Sequence, residues 1–330
     1  MKRALIVIVL GSALQLAMLS ESACAESPAT SQDQVRETIA RSLQYLEKEG
    51  VAWIETKKCV TCHRVSFLTW SLSEASRKGF EVDRTKLQNW VDWSVMQSLK
   101  SPGEGKPVDG SLNLDGVGQL ILAHSSHSPA PLQKEQAQAF VQLLLQGQQA
   151  DGSWKPGGQL PGQKRPKQET AQVSTMWNAL ALGSVAETDA NVSARRRALE
   201  WLDGAAPGKS TEWYAARLLL SHKQRNDVRA NSMLEQLQSQ QNADGGWGWL
   251  VGGTSDAIGT GLAVYSMSVA GVPSDHASIQ RAKHFLVATQ LKDGSWAVHG
   301  TKENKKGRVE ETASYWGAAW ATIGLLQTLR

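Results

Sequence analysis

The residues best suited to chemistry in this chain are the two cysteines and the histidine of Cys59-Val60-Thr61-Cys62-His63. Two thiols at this spacing can form thioethers with the two vinyl groups of haem, and the next histidine can then bind the iron. The same side chains could instead supply three ligands to zinc, or the thiols could act in disulfide or redox chemistry. The motif therefore predicts a haem c site at Cys59, Cys62 and His63, with zinc and thiol chemistry as alternatives.

The start of the chain predicts export. Met1-Lys2-Arg3 is followed by an apolar run over residues 4–19 and then by Ala23-Cys24-Ala25, which is the pattern of a secretory signal peptide. We expect residues 1–25 to be removed, and residues 26–330 to form a single domain without a membrane span. The mature protein is then periplasmic or extracellular, and haem c is attached outside the cytoplasm.

Net charge and cysteine content exclude two classes of protein. The formal net charge of +4 is too small to indicate nucleic-acid binding. Cys24 leaves with the signal peptide, so Cys59 and Cys62 are the only cysteines of the mature chain. Two cysteines so close together do not form the framework of a disulfide-rich protein. They indicate local chemistry instead.

A heptapeptide of the form Q-x-x-D-G-[GS]-W occurs three times, at residues 148–154, 241–247 and 290–296. Each copy lies between two amphipathic segments, and the same alternation continues elsewhere to give six helix pairs. Repeats of this size indicate one helical unit used many times. The second helix of each pair is richer in apolar and small residues, as a buried inner helix would be. The pattern predicts an all-α fold of six helix-pair repeats with Cys59–His63 in the first. Six such pairs could form an open solenoid or a closed ring, and the buried second helices fit the closed ring, an (α/α)6 toroid.

The heptapeptide is similar to the QW repeat of squalene–hopene and oxidosqualene cyclases and of protein prenyltransferase β subunits, which share an (α/α) toroid. The resemblance covers about residues 35–330 and extends to exported bacterial proteins with prenyltransferase and squalene oxidase repeats. It implies an isoprenoid or another apolar ligand. The Asp-x-Asp-Asp acid of the cyclases does not occur here, and residues 256–258 lack the thiolate of the prenyltransferase Asp-x-Cys zinc site. Whether the protein is an enzyme therefore stays open.

Further candidates lie in the loops and at the starts of the inner helices. His299, in the loop of the sixth repeat, is predicted to lie beside the first repeat in a closed ring and to be the second axial ligand. Met96 and an open coordination position are the alternatives, and His299 could also be an ordinary exposed histidine. Acidic residues at inner-helix starts either cap those helices or supply acid/base groups, with Asp256 and Glu311 the first catalytic candidates. The acidic set comprises Asp115, Glu169, Glu212, Asp256 and Glu311.

The inner helices also carry large apolar side chains that either line an isoprenoid cavity or simply fill the core. These are Trp70, Trp177, Tyr265, Met267, Trp316 and Trp320. Two function hypotheses follow. One is an exported haem c protein in electron transfer or oxidation, with a redox partner protein and with or without a hydrophobic ligand. The other is a haem-free protein that binds or processes isoprenoids, in which Cys59–His63 binds a metal or is redox-active.

Overall fold

The computed structural model describes residues 30–60, 64–125, 128–158, 161–305 and 307–329. These residues form α-helices, two short 3₁₀ turns and loops, and their β-type pairings are isolated bridges. The helices are α1 (Gln32–Lys57), α2 (Val65–Arg77), α3 (Arg84–Leu99), α4 (Leu114–Ala123), α5 (Lys134–Gly147), α6 (Lys167–Leu182), α7 (Asp189–Asp203), α8 (Thr211–Lys223), α9 (Asp227–Ser239), α10 (Ala257–Val269), α11 (Ala277–Thr289) and α12 (Glu311–Gln327). The predicted all-α class is confirmed.

The even-numbered helices form a closed inner ring. Each contacts the next even-numbered helix along the chain, and α12 contacts α2. The odd-numbered helices lie outside this ring, and each packs against the preceding even-numbered helix, with α1 packing against α12. The predicted toroid of six helix pairs is therefore confirmed, and its last pair meets its first.

Burial follows the same division between inner and outer helices. In α1 the apolar residues Val35, Ile39, Leu43 and Leu46 are buried at intervals of three or four, while the opposite face is exposed. In α12 nearly every residue from Ala313 onwards is buried. A helix with one apolar stripe suits a surface layer, and a helix that is apolar all round needs neighbours on every side.

The third heptapeptide joins the sixth repeat to the first. The Gln290 side chain donates to Thr38 O in α1 at 2.8 Å and to Gly294 O in its own loop at 3.1 Å. The Trp296 indole donates to Leu286 O in α11 at 2.9 Å, so the buried ring locks the loop onto its own outer helix. The other two copies make the same contacts, from Gln148 to Ala194 O and from Gln241 to Ser278 O.

In each of these three contacts between repeats, an arginine of the following outer helix also bonds the heptapeptide glutamine. Arg41 donates to Gln290 Oε1, and Arg197 and Arg281 bond Gln148 and Gln241 in the same way. The glycine of each heptapeptide has a positive φ, and a Cβ there would collide with the backbone carbonyl of that arginine. The Gly is therefore needed both for the turn and for the close approach of the next repeat.

Aromatic rings fill the centre of the inner ring. Trp320 of α12 lies 5.5 Å from Trp70, 5.6 Å from Trp177 and 5.6 Å from Tyr265 between ring centroids. Phe67 joins the group 5.1 Å from Trp320. Edge-to-face and stacked contacts at such distances add to the stabilisation from buried area. The arrangement favours the core-filling interpretation of these side chains.

No helix among the described residues is long and apolar enough to cross a membrane.

Candidate functional site

The predicted haem-binding motif begins directly after α1. The helix ends at Lys57, and Lys58 adopts the left-handed conformation with φ 51°. Cys59 follows, is exposed and has no disulfide partner among the described residues, and its carbonyl accepts a hydrogen bond from Trp53 Nε1 at 3.1 Å. Cys62 and His63, the other two predicted ligands, lie outside the described residues.

Arg64 anchors the far end of the motif. Its side chain is buried, ion-paired with Glu311, and stacked over the rings of Tyr315 (4.4 Å to the centroid) and Trp53 (5.1 Å). Cation–π contacts and an ion pair together hold a buried guanidinium in one position. Trp53 therefore contacts both ends of the motif, because its ring lies under Arg64 and its indole bonds Cys59.

The same contacts assign a partner to Glu311. Its side chain is largely exposed, at 72% of its full accessibility, and one carboxylate oxygen bonds Arg64. Glu310 supplies the cap of α12 instead, accepting from Ala313 N at 3.0 Å. Glu311 thus positions the arginine that follows His63.

A cleft of about 170 Å³ lies beside Cys59. One wall is the end of the first repeat's outer helix and the start of the motif, from Lys58 to Val60. The opposite wall belongs to the second repeat, with Gln97 and Ser98 of α3 and residues of the connection to α4. The exposed thiol therefore borders a space between the first two repeats.

Asp256, the other catalytic candidate, caps α10. Its carboxylate accepts from Gly259 N at 2.8 Å and from Trp249 N at 2.7 Å. Burial raises the pKa of Asp256 to about 6, and these backbone donors and the nearby His299 oppose the rise.

Asp115, at the start of α4, is the most deeply buried of the acidic set together with Glu169. One oxygen accepts from Gly157 N at 2.8 Å, and the neighbouring Ser174 hydroxyl also favours the ionised carboxylate. Burial raises the pKa of Asp115 to about 6. A carboxyl with such a pKa is half-protonated near pH 6 and can act as an acid or a base there.

A buried ion pair links the third and fourth repeats. Arg165 Nη1 donates to Glu212 at 2.7 Å, Arg165 Nε donates to Thr170, and the guanidinium lies over the ring of Trp249. Glu212 also accepts from the Trp177 indole at 3.2 Å, which ties the ion pair to the central aromatic cluster. Sequence reasoning found the acidic member and missed the arginine.

The sequence does contain one indication of the two arginines that the sequence analysis did not identify, namely their position. Arg64 and Arg165 each lie within two residues of an inner-helix start. Each pairs with a glutamate in the first turn of another inner helix, Glu311 of α12 or Glu212 of α8.

The loop that carries His299 extends to the third repeat. Lys164 N donates to Thr301 O at 2.9 Å, and Glu303 N donates to Gly162 O at 3.0 Å. His299 itself is exposed and forms an isolated bridge with Val309. The described contacts of residues 299–303 are thus with the third and sixth repeats, whereas Gln290 at the start of the same loop contacts the first repeat.

Two other histidines lie at inner-helix ends. His124 follows α4, is buried, and bonds Ala130 O through Nδ1 at 3.0 Å. Burial lowers its pKa to about 4. His222 lies near the end of α8, and His127 lies outside the described residues.

Among the described residues no three His, Cys, Asp or Glu side chains converge in a way that could hold a metal ion. Cys62 and His63 are not among those residues, so this result does not bear on the predicted zinc or haem site.

Sequence comparison relates the second half of the chain to known cyclases. Residues 208–330 match the squalene–hopene cyclase C-terminal domain family. A squalene–hopene cyclase from Zymomonas mobilis is 30% identical over 106 residues, which cover 30% of this chain and 15% of the cyclase. The match thus spans a small part of that enzyme's length.

Solved structures share the fold at low identity. A glycosyl hydrolase family 88 protein from Bacteroides vulgatus has a TM-score of 0.65 and 11% identity, over 91% of this chain and 99% of that one. A type II terpene cyclase from Scytonema, in complex with geranylgeranyl dihydroxybenzoate, has a TM-score of 0.53 and 11% identity, over 90% and 98%. Likeness at such identities shows the fold alone. Residues 208–330 are therefore similar to squalene–hopene cyclase C-terminal domains, and the described chain has the α/α toroid found in terpene cyclases.

Proposed function

We propose that this protein is an exported haem c protein on an α/α toroid, acting in electron transfer or oxidation. The observation that supports this most directly is the exposed thiol of Cys59, which borders a cleft instead of packing into the core. An exposed thiol at the start of a Cys-x-x-Cys-His sequence is open to covalent attachment. The export signal of residues 1–25 fits a periplasmic or extracellular location for that attachment.

The residues of the motif suit this group. Cys59 and Cys62 would hold haem c through two thioethers, and His63 would bind the iron on one side. Bound haem supplies a one-electron iron couple. The chain positions the motif at both ends: Trp53 donates to the Cys59 carbonyl, and Glu311 and the ring of Trp53 hold Arg64, the residue after His63.

The position of Cys59 also suits exchange of electrons with a redox partner protein. Its thiol lies in a loop at the surface, outside the aromatic cluster that fills the inner ring. A cofactor attached there would keep an edge at the surface, where a partner could approach it. A buried attachment point would not allow this.

A haem-free protein that binds or processes isoprenoids is the second candidate, favoured by the match of residues 208–330 to the cyclase domain. In that case Cys59, Cys62 and His63 would bind zinc or be redox-active. An apolar ligand would have to displace the packed rings of Trp70, Trp177 and Trp320, or bind elsewhere. The cyclase Asp-x-Asp-Asp acid does not occur in the sequence.

The deciding experiment is a pyridine haemochrome spectrum of the denatured protein. The full-length chain, with its signal, is produced in a bacterium that matures c-type haem. We expect a covalent haem c spectrum that is lost in Cys59→Ala and in Cys62→Ala. Thr61→Ser, which keeps both thiols and the histidine, is the matched control and should retain the haem. A folded, colourless wild-type protein would overturn the proposal and favour zinc analysis and lipid extraction.

A further inference from the structure

The loop between α11 and α12 reaches across one end of the ring. Lys164 N donates to Thr301 O at 2.9 Å and Glu303 N donates to Gly162 O at 3.0 Å, so residues 301–303 pair with the segment before α6. In a closed ring of six pairs the third and sixth repeats lie opposite each other. Residues 298–303, the cross-ring loop, therefore cover the end of the ring at which the inner helices begin.

The segment before α6 turns alternate side chains into the ring. Gln163 and Arg165 are buried, whereas Lys164 between them is partly exposed, as expected for extended backbone. The Arg165 side chain reaches the start of α8, where Nη1 donates to Glu212 at 2.7 Å. Its guanidinium also lies over the ring of Trp249 in the fifth repeat, 5.4 Å from the centroid. Arg165 and Trp249 are therefore direct neighbours under the cross-ring loop.

Three buried polar atoms in this region have no hydrogen-bond partner among the described residues, namely Arg165 Nη2, Trp249 Nε1 and Gln163 Oε1. The Arg165 side chain is fully buried, and Trp249 and Gln163 are only 4% and 7% exposed. A buried polar group without a hydrogen bond is costly, so such groups call for a partner from outside the chain. Two N–H donors and one carbonyl acceptor fit a hydroxyl-bearing ligand, because a hydroxyl both accepts and donates.

The charges around Arg165 favour a neutral ligand. Glu212 pairs with Arg165 directly, and Glu169 accepts from the same Ser210 hydroxyl that Arg165 bonds. Asp115 lies close enough for the charges of Arg165 and Glu212 to act on its carboxyl. The two glutamates already outweigh the single positive charge, so an added anion would be repelled.

We propose that Arg165, Trp249 and Gln163 form a binding site for a neutral hydroxyl-bearing ligand, a sugar or another cyclic polyol, which the cross-ring loop covers. Arg165 Nη2 and Trp249 Nε1 donate to ligand oxygens, and a ligand hydroxyl donates to Gln163 Oε1. Two backbone hydrogen bonds join the loop to the segment before α6, so the loop can open without breaking the ion pair of Arg165 and Glu212. The site does not depend on haem at Cys59.

The test is calorimetric titration of the protein, produced from the full-length chain, with glucose and with myo-inositol. We expect saturable binding that Trp249→Phe weakens about tenfold, because a ligand oxygen loses a buried donor. This indole N–H has no partner among the described residues, so its removal breaks no described hydrogen bond and the variant should fold. Trp90→Phe, on the outer helix α3, is the matched control and should bind as the wild type does. Glucuronate, which adds a carboxylate to the glucose ring, should bind more weakly.

Hydrogen exchange tests the role of the cross-ring loop. Bound glucose should slow exchange of the Lys164 and Glu303 amides, which join the loop to the opposite segment, and leave the Leu291 amide of the heptapeptide turn unchanged. Unchanged exchange at Lys164 and Glu303 despite binding would overturn the role of the loop as a cover. Equal binding by the wild type and Trp249→Phe would overturn the site. Binding of glucuronate alone would overturn the neutral ligand class, and binding of none of the three probes would overturn the proposal as a whole.

Discussion

Asp115 shows how strongly a single buried carboxyl can affect this fold. It lies in the first turn of α4, where a negative charge interacts favourably with the helix dipole. Gly157 N and the Ser174 hydroxyl also favour the ionised form, yet burial raises the pKa to about 6. Desolvation therefore outweighs the dipole and the hydrogen bond from Gly157.

Replacing Asp115 by Asn should stabilise the protein at neutral pH. Between about pH 4 and pH 6 the unfolded carboxyl ionises while the folded one keeps its proton, so wild-type stability falls as the pH rises through this window. The amide does not titrate. The variant should exceed the wild type by up to about 3 kcal/mol at pH 7, with the difference vanishing near pH 3.

Chemical denaturation at pH 3 and at pH 7 measures this difference. Asp275→Asn, at an exposed aspartate, is the control and should change stability little at either pH. Equal stabilities of the wild type and Asp115→Asn at pH 7 would contradict the argument from desolvation.

The acidic residues at the starts of the inner helices could be found from the sequence, because each follows a loop and begins an apolar helix. The pairing of these residues could not, although the positions of the two arginines beside inner-helix starts were a signal. Arg165 meets Glu212 of the neighbouring repeat across 47 positions of the chain, whereas Arg64 meets Glu311 across 247. The second pair exists only because the ring closes, so the choice between an ion-pair partner and a catalytic acid at Glu311 needed the structure.

The heptapeptide loop connects neighbouring repeats and also forms the turn between the two helices of its own repeat. Its Gln bonds the next outer helix, its Gly permits close approach, and its Trp bonds the outer helix of its own repeat. The sequence predicted the turn and the buried Trp. It did not predict that Arg41 bonds Gln290, because that role becomes visible only when the neighbouring repeats are seen in contact.

Gln290→Ala should weaken the joint that closes the ring. The substitution leaves Thr38 O and Gly294 O without their donor and removes the acceptor of Arg41. Each unsatisfied group costs about 1–3 kcal/mol when buried, and these are partly buried, so we expect a loss of about 1–3 kcal/mol. Urea denaturation measures it, with Gln138→Ala on the exposed face of α5 as the control. A loss no larger than that of the control would rule out a role in closure.

The contact between α10 and α12 depends on glycine. A Cβ at Gly261 would collide with the backbone of Trp320 and Ala321, and Gly324 faces Gly261 from the other helix. Gly261→Ala must therefore separate the helices, and we expect a loss of about 3 kcal/mol, at the upper end of the usual cost of overpacking, since backbone cannot yield as a side chain does. Gly204→Ala, at a site with open space, should be tolerated. Comparable melting temperatures for the two variants would contradict the close packing.

On the scale of the whole molecule, stability comes from closure. Every inner helix has two inner neighbours, and the central rings come from α2, α6, α10 and α12 together. Repeat number and helix type could be read from the sequence because they depend on local patterns. Closure could not be derived in the same way, because an open solenoid and a closed ring have the same local pattern. The fold alone also leaves the chemistry open, since glycosyl hydrolases and terpene cyclases both have it.

Closure predicts that residues 208–330 do not fold alone, although they match a recognised domain family. Isolated, they lack Trp70 and Trp177 of the central cluster, and α8 and α12 lose their neighbours α6 and α2. The exposed apolar faces should leave the fragment aggregated or without a cooperative thermal transition. Co-expression with residues 26–207 supplies the missing helices and should restore a soluble one-to-one complex with helical circular dichroism. A monomeric fragment 208–330 with its own cooperative transition would show that the second half is an independent domain and that ring closure is not what stabilises it.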